Sequence, residues 1–210
     1  MSEWNRILLH PEYSSEEPDE LVVNFIKLLK KRKAGKILDL GCGAGRHIAY
    51  IAAQGFEAYG LDVSETGLKK TRERLKKRNL EAFLVKCDMK LLPFMDSCFS
   101  AMICLNTIYH QRRDEIQQTI SEVHRTLNEN GLLLANFHSK RSHRYRCGIK
   151  VEENTFMDQD GPEKGVLHHF VDENELKLFF KNFRIVKKRL NERKVKNYLQ
   201  SRWEILAEKH

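Results

Sequence analysis

The stretch Lys36-Ile37-Leu38-Asp39-Leu40-Gly41-Cys42-Gly43-Ala44-Gly45-Arg46 constrains this chain more than any other. A short apolar run carries an acid near its end, three glycines follow at alternate positions, and an apolar helical pattern begins at once. That is a buried strand, a tight turn and a helix N-terminus, and glycines in such a turn let backbone come close to a nucleotide-like ligand. The spacing departs from two familiar cradles. A dinucleotide fingerprint needs G-x-G-x-x-G, and a Walker loop closes on Gly-Lys-Ser/Thr. The glycines alone therefore leave the ligand open, and the acids around them have to decide it.

Strand and helix patterns alternate along the chain. Residues 1–17 are polar, with Trp4, Ile7, Leu8 and Leu9 as anchors. Pro18-Asp19 opens a helix with Leu21, Val22, Phe25, Ile26 and Leu29 on one face, a basic run Lys30–Lys33 at its end and Gly35 as its stop. Strands are expected at 37–40, 56–61, 82–86, 99–105 and 132–137. Helices are expected at 46–54, from a Ser64 cap to about Arg78, and from an Asp114 cap with Gln117 in the capping-box position. Asn130-Gly131 turns the chain into the fifth strand. The alternation implies an α/β fold, a parallel sheet with helices on both faces. Residues 138–171 break the rhythm, and so long a loop in a compact domain is a functional lid or disordered. Asp172 opens a last helix, and the runs 183–190 and 202–207 form an antiparallel hairpin at the sheet edge. The expected organisation is an N-terminal helical extension over 1–34 and one domain over 35–210, with a lid insertion at about 138–171.

With 210 residues, one domain with a useful core is expected. No apolar run reaches the roughly 20 residues of a membrane span, and no secretory signal is visible. Five cysteines without regular spacing suggest neither a disulfide framework nor zinc, so the chain reads as cytoplasmic. The net charge of +8 favours acidic partners, and scattered Lys and Arg on helix faces also serve solubility alone.

Between about residues 35 and 138 the chain resembles the class I S-adenosylmethionine-dependent methyltransferases. Ile37–Gly45 is similar to the family's first motif almost letter for letter. Leu92-Pro93-Phe94 with Phe99–His110 resembles its fourth-strand motif, and Asn130–Leu133 its turn into strand five. Within the family the chain is similar to small-molecule enzymes of the tellurite-resistance and quinone-biosynthesis types, to which His169–Leu176 adds a late helix start. The resemblance implies a Rossmann-like seven-stranded sheet in the order 3-2-1-4-5-7-6 with strand seven antiparallel. It implies S-adenosylmethionine as cofactor and a donor site of Asp39, Gly41, Cys42, Gly43, Gly45, Asp62, Val63, Asp88, Met89 and Asn106. In that set Asp39 stands near the methionine part, Asp62 takes the ribose hydroxyls, and Asp88 faces the adenine amino group. Three acids at successive strand ends suit the rule that ligands of open α/β sheets bind there.

The chemistry so implied is displacement at a methyl carbon, which needs positioning more than catalytic side chains. Tyr109 and His110 follow strand four and are the catalytic candidates, His110 because an ordinary imidazole titrates near neutrality; a loop histidine bonded to backbone is the plainer reading. His138, His143, His168 and His169 cluster around the lid without zinc spacing, so no metal is expected. Cys147 lies beside Arg144 and Arg146, which would lower a thiol pKa; ordinary exposure is the plainer reading. Arg141, Arg144, Tyr145 and Arg146 make the lid basic, suited to clamping an anionic acceptor, to tracking RNA, or to a mobile loop with neither role. The expected partner is a small-molecule acceptor, anionic if the charge is used. The alternatives are an RNA methyltransferase and a non-catalytic donor-binding protein.

Overall fold

The computed structural model describes residues 3–13 and 15–210. Its centre is β1 (Lys36–Leu40), hydrogen-bonded in parallel to β2 (Glu57–Asp62) on one side and β4 (Phe99–Cys104) on the other. Side chains alternate along a strand, so Ile37 enters the apolar layer on one face while Leu38 and Leu40 enter the other. A strand apolar on both faces belongs in the middle of a helix-covered sheet.

On the first face lie α2 (Glu20–Arg32), α3 (Arg46–Ala53) and α4 (Glu65–Lys77). Helix α2 docks through Val22, Phe25, Ile26 and Leu29, each burial contributing about 1.5–3 kcal/mol against water. On the second face α5 (Arg113–Thr126) buries Ile116, Ile120 and Val123, and α6 (Glu173–Phe179) buries Leu176 and Phe179. The expected Asp19 and Ser64 caps form: Asp19 accepts from Leu21 N–H and Ser64 from Gly67 N–H. Asp114 is not the cap of α5. It lies inside the first turn, and Arg112 precedes the helix with its N–H donated to Glu115 Oε2 at 2.9 Å. Likewise α2 ends on Lys33 in the left-handed conformation, two residues before the expected glycine.

The sheet runs β3 (Phe83–Lys86), β2, β1, β4, β5 (Leu127–Ser139), then β10 (Tyr198–Lys209) and β9 (Phe183–Val195). Strand β10 is antiparallel to both neighbours, so the expected seven-stranded order holds, with β9 and β10 in the last two places. Three strands were not expected. The insertion holds β6 (Ile149–Glu152), β7 (Thr155–Met157) and β8 (Leu167–Val171), an antiparallel set whose last member also pairs in parallel with the end of β5 at His138 and Ser139. Short runs such as Thr155-Phe156-Met157 carry no period of their own, and pairing alone makes them strands. The N-terminus forms α1 (Trp4–Ile7) and a 3-10 turn (Pro11–Tyr13). Ile7 and Leu8 are buried as expected, whereas Leu9 is 65% exposed. No described helix is long and apolar enough to cross a membrane.

Candidate active site

Past the C-terminal ends of β1, β2 and β4 lies a cavity of about 480 Å³. The glycine turn forms its floor. Gly41 and Cys42 both donate N–H to Leu61 O, at 2.7 and 3.0 Å, which binds the turn to β2. Gly41 sits at φ +71°, and a Cβ there would come within 2.2 Å of the Thr107 side chain, so the first turn position admits no side chain. At Gly43, φ +52°, a Cβ would meet only Leu8, at 3.7 Å, and the N–H is donated to Asp62 Oδ2 at 2.8 Å. Asp62 Oδ1 accepts from Ser64 N–H at 2.8 Å. Each oxygen keeps a further lone pair. Burial pushes this carboxyl above the usual range against the pull of those amides.

Asp39 lies behind the turn rather than on the cavity wall. It is 1% exposed, its Oδ2 has no partner among the described residues, and burial together with the Asp62 charge lifts its pKa to about 7. A buried oxygen without a donor is costly, and a ligand ammonium group is the kind of donor that would relieve it. Gly45 is also off the wall, as the left-handed residue before α3. The other residues expected from the sequence line the cavity: Gly41, Cys42, Gly43, Asp62, Val63, Asp88, Met89, Asn106, Tyr109 and His110. Asp88 is exposed beside Lys90, whose backbone N–H it accepts at 2.9 Å.

The loop after β4 is held rigidly. Asn106 has φ +57°, its N–H is donated to Asn136 Oδ1 at 2.7 Å, and its own Oδ1 accepts from Asn136 Nδ2 at 3.1 Å and Arg202 Nη1 at 2.7 Å. Tyr109 is 2% exposed and burial pushes its phenol up to about 12. His110 Nδ1 donates to Leu167 O at 3.1 Å, which leaves Nε2 as the free lone pair. The near-neutral titration expected of His110 is not found: burial, then the neighbouring His168, push it down to about 3.

Several wall residues lie outside the stretch that resembles the family. Trp4, Leu8 and Tyr13 come from the N-terminus, Glu163 from the insertion and Arg202 from β10. Nothing local marks them, although Trp4 and Leu8 stood out as apolar residues in a polar segment. The N-terminus is a strap. Arg6 donates to Pro162 O and Lys164 O, both at 3.0 Å, and Tyr13 OH to Glu163 Oε1 at 2.8 Å. On the other side Asn5 Oδ1 accepts from Ser64 Oγ at 2.9 Å and Thr66 N–H at 3.1 Å.

The basic insertion is tied down by acids. Arg144 pairs with Asp158 and Glu163, Lys140 with Asp172 and Arg141 with Glu192. Among the described residues Asp158, Glu163 and His168 are the only three at metal-ligand spacing, and the Arg144 guanidinium already pairs with both carboxylates. Burial alone would lower the His168 pKa, but hydrogen bonds to Asp158 and Glu163 raise it. Of the other histidines expected to cluster there, His138 has its ring centre 5.6 Å from that of His168, whereas His143 bonds Leu199 O and His169 bonds Thr155 Oγ1. Cys147 is exposed.

Residues 37–131 match the model of a methyltransferase domain family. A putative methyltransferase of Bacillus subtilis, YqeM, is 29% identical over 170 residues, covering 80% of this chain and 66% of that protein. The chain spans 48% to 66% of the length of the first three curated relatives it matches. A methyltransferase structure from Methanosarcina mazei superposes with a TM-score of 0.77 at 22% identity, over 92% of this chain and 98% of that one, which speaks for the fold. The PH0226 protein of Pyrococcus horikoshii superposes with a TM-score of 0.73 at 26% identity over the whole of both chains. Residues 37–131 thus match a methyltransferase domain, and the glycine turn with acids at strand ends sits in a fold that the chain shares with the Methanosarcina mazei methyltransferase structure.

Proposed function

We propose that this chain transfers the methyl group of S-adenosylmethionine to a small-molecule acceptor. The observation that carries the reading is buried Asp62, fixed by two backbone amides beside the glycine turn on the cavity wall. Asp62 keeps a free lone pair on each oxygen for ribose hydroxyls, and Asp39, buried behind the turn, adds negative charge at a distance when ionised. A cavity of about 480 Å³ lies within the roughly 300–1,000 Å³ of small-molecule sites. When bound, the donor supplies an already activated methyl group. The chain's own part is to hold an acceptor in line and keep water out. Asp88 and Met89 flank the adenine end of this arrangement, and Asn106 with Tyr109 forms the wall toward the acceptor.

In this reading His110 is a weak base. Its free Nε2 receives a hydrogen bond from the acceptor without drawing a proton away at neutral pH, because burial disfavours the imidazolium. Acceptors with a ready lone pair are therefore favoured over alcohols.

Calorimetry with S-adenosylhomocysteine and NAD in parallel tests the donor. The homocysteine product should bind and NAD should not, and the opposite outcome would sink the reading. Asp62→Ala should lower affinity about 100-fold or more, the scale of losing two hydrogen bonds to a charged group. Unchanged affinity would remove Asp62 from the site.

A further inference from the structure

Two cations of the cavity wall, Arg46 and Arg202, enter no ion pair among the described residues. Arg46 is the first residue of α3, at the foot of the glycine turn, and so belongs to the donor side. Arg202 comes from β10, opposite His138 on β5, and stands against the loop that follows β4. Most acids of the wall are already engaged. Asp62 accepts two backbone amides, Glu115 and Asp88 are paired with Lys90, and Glu163 is held by Arg144 and Tyr13. The remaining one, Glu12, is on the exposed strap, 4.0 Å from His10.

The Arg202 head is placed rather than free. Its Nη1 donates to Asn106 Oδ1 at 2.7 Å, and that oxygen is itself fixed by Asn136 Nδ2 at 3.1 Å. Asn106 holds a left-handed φ of +57°, a conformation that asparagine tolerates better than most residues. A guanidinium has five N–H donors in one plane, and this contact uses one. The rest form a fork suited to a carboxylate, and none of the wall's own carboxylates pairs with it.

We propose that Arg202 is the acceptor-binding residue and that the acceptor is a small molecule bearing a carboxylate, held by the Arg202 fork beside Asn106. The proposal rests on the methyltransferase reading, since Arg202 faces the acceptor only if the donor lies on the glycine turn. Tyr109 and Trp4 complete an aromatic wall against which the body of such an acceptor packs.

The test uses the full chain saturated with S-adenosylhomocysteine. Acetate and benzoate are titrated at pH 7 by NMR, with acetamide and benzamide as uncharged counterparts, on wild type, Arg202→Gln and Arg202→Lys. Wild type should bind at least one carboxylate more tightly than its amide. Arg202→Gln should weaken that carboxylate about tenfold or more, the worth of a charge-assisted hydrogen bond, and leave the amides unchanged. Arg202→Lys keeps the charge and loses the fork, so it should fall between the two. Equal binding of carboxylate and amide by wild type, or carboxylate binding unmoved in Arg202→Gln, overturns the proposal. Melting temperature checks that each variant is folded, and if Arg202→Gln is not, Arg202→Lys carries the comparison. Affinity for S-adenosylhomocysteine should stay within about twofold in all three. Its failure to bind wild type would count against the donor assignment, a result separable from loss of carboxylate binding alone.

Discussion

The carboxyl of Asp39 is the residue whose environment has the most direct measurable consequence. Its pKa of about 7 compares with about 3.9 for an exposed aspartate, chiefly because burial disfavours the anion. The folded chain therefore holds a proton that the unfolded chain has released. The stabilisation is complete below about pH 4 and is lost as pH rises through about 7. Asp39→Asn cannot ionise, so its stability relative to wild type should grow between about pH 4 and pH 7 and then level off. Urea denaturation across that range measures it; a constant difference would mean that Asp39 titrates as an exposed group. The same residue shows how far local reading reaches. An acid before a glycine turn is visible in the sequence, but its lack of a partner is a property of the packed sheet. For His110 the sequence suggested a near-neutral base, and burial beside His168 decided otherwise.

At the scale of elements, the strap and the insertion hold each other over the cavity. Arg144 is the knot on the insertion side, binding Asp158 and Glu163, whose carboxylates also lie 3.3 Å from His168 Nε2. Arg144→Ala would leave two carboxylates facing one histidine. We expect a loss of about 3 kcal/mol, at the low end for a broken buried pair because the Arg144 side chain is 32% exposed. Chemical denaturation reads this directly, and a loss under about 0.5 kcal/mol would class the network with surface pairs. On the strap side, Leu8 packs over Gly43 and Gly67, and Tyr13 reaches Glu163. Removing residues 1–16 should unroof the cavity while leaving α2 and the sheet in place. Dissociation of S-adenosylhomocysteine should then accelerate about tenfold or more, since losses of contact act mainly on the off-rate. Stopped-flow displacement measures it, and an unchanged rate would make the strap a passive cover.

For the whole molecule, the question is what the net charge of +8 is for. The basic insertion, which suggested RNA in the sequence, spends Lys140, Arg141 and Arg144 on acids of the same chain. Much of the remaining charge lies on α4 and on β9, where Arg184, Lys187, Lys188, Arg189, Arg193 and Lys194 occupy an edge strand. Lysine and arginine on an edge discourage pairing with other chains, which accounts for them without a ligand. Transfer RNA should accordingly bind weakly, with a log–log salt slope shallower than about −2. Filter binding between about 50 and 200 mM salt decides it, and a slope of −5 or steeper would restore the RNA reading.

The sequence by itself determined the central sheet, half of the helix caps and the strand-end residues that line one side of the cavity. These depend on short-range rules: alternation in strands, a 3.6-residue period in helices, and glycine where φ is positive. Ile37–Gly45, Asp62 and Asp88 are legible because each lies at the end of its own strand. The rest of the cavity wall depends on tertiary structure. Trp4, Tyr13, Glu163 and Arg202 come from four distant segments that meet only when the strap crosses the sheet end, the insertion pairs with β5, and β10 runs antiparallel beside it. No periodicity encodes such a meeting, because the energy that fixes it is in contacts between residues as far apart as Tyr13 and Glu163.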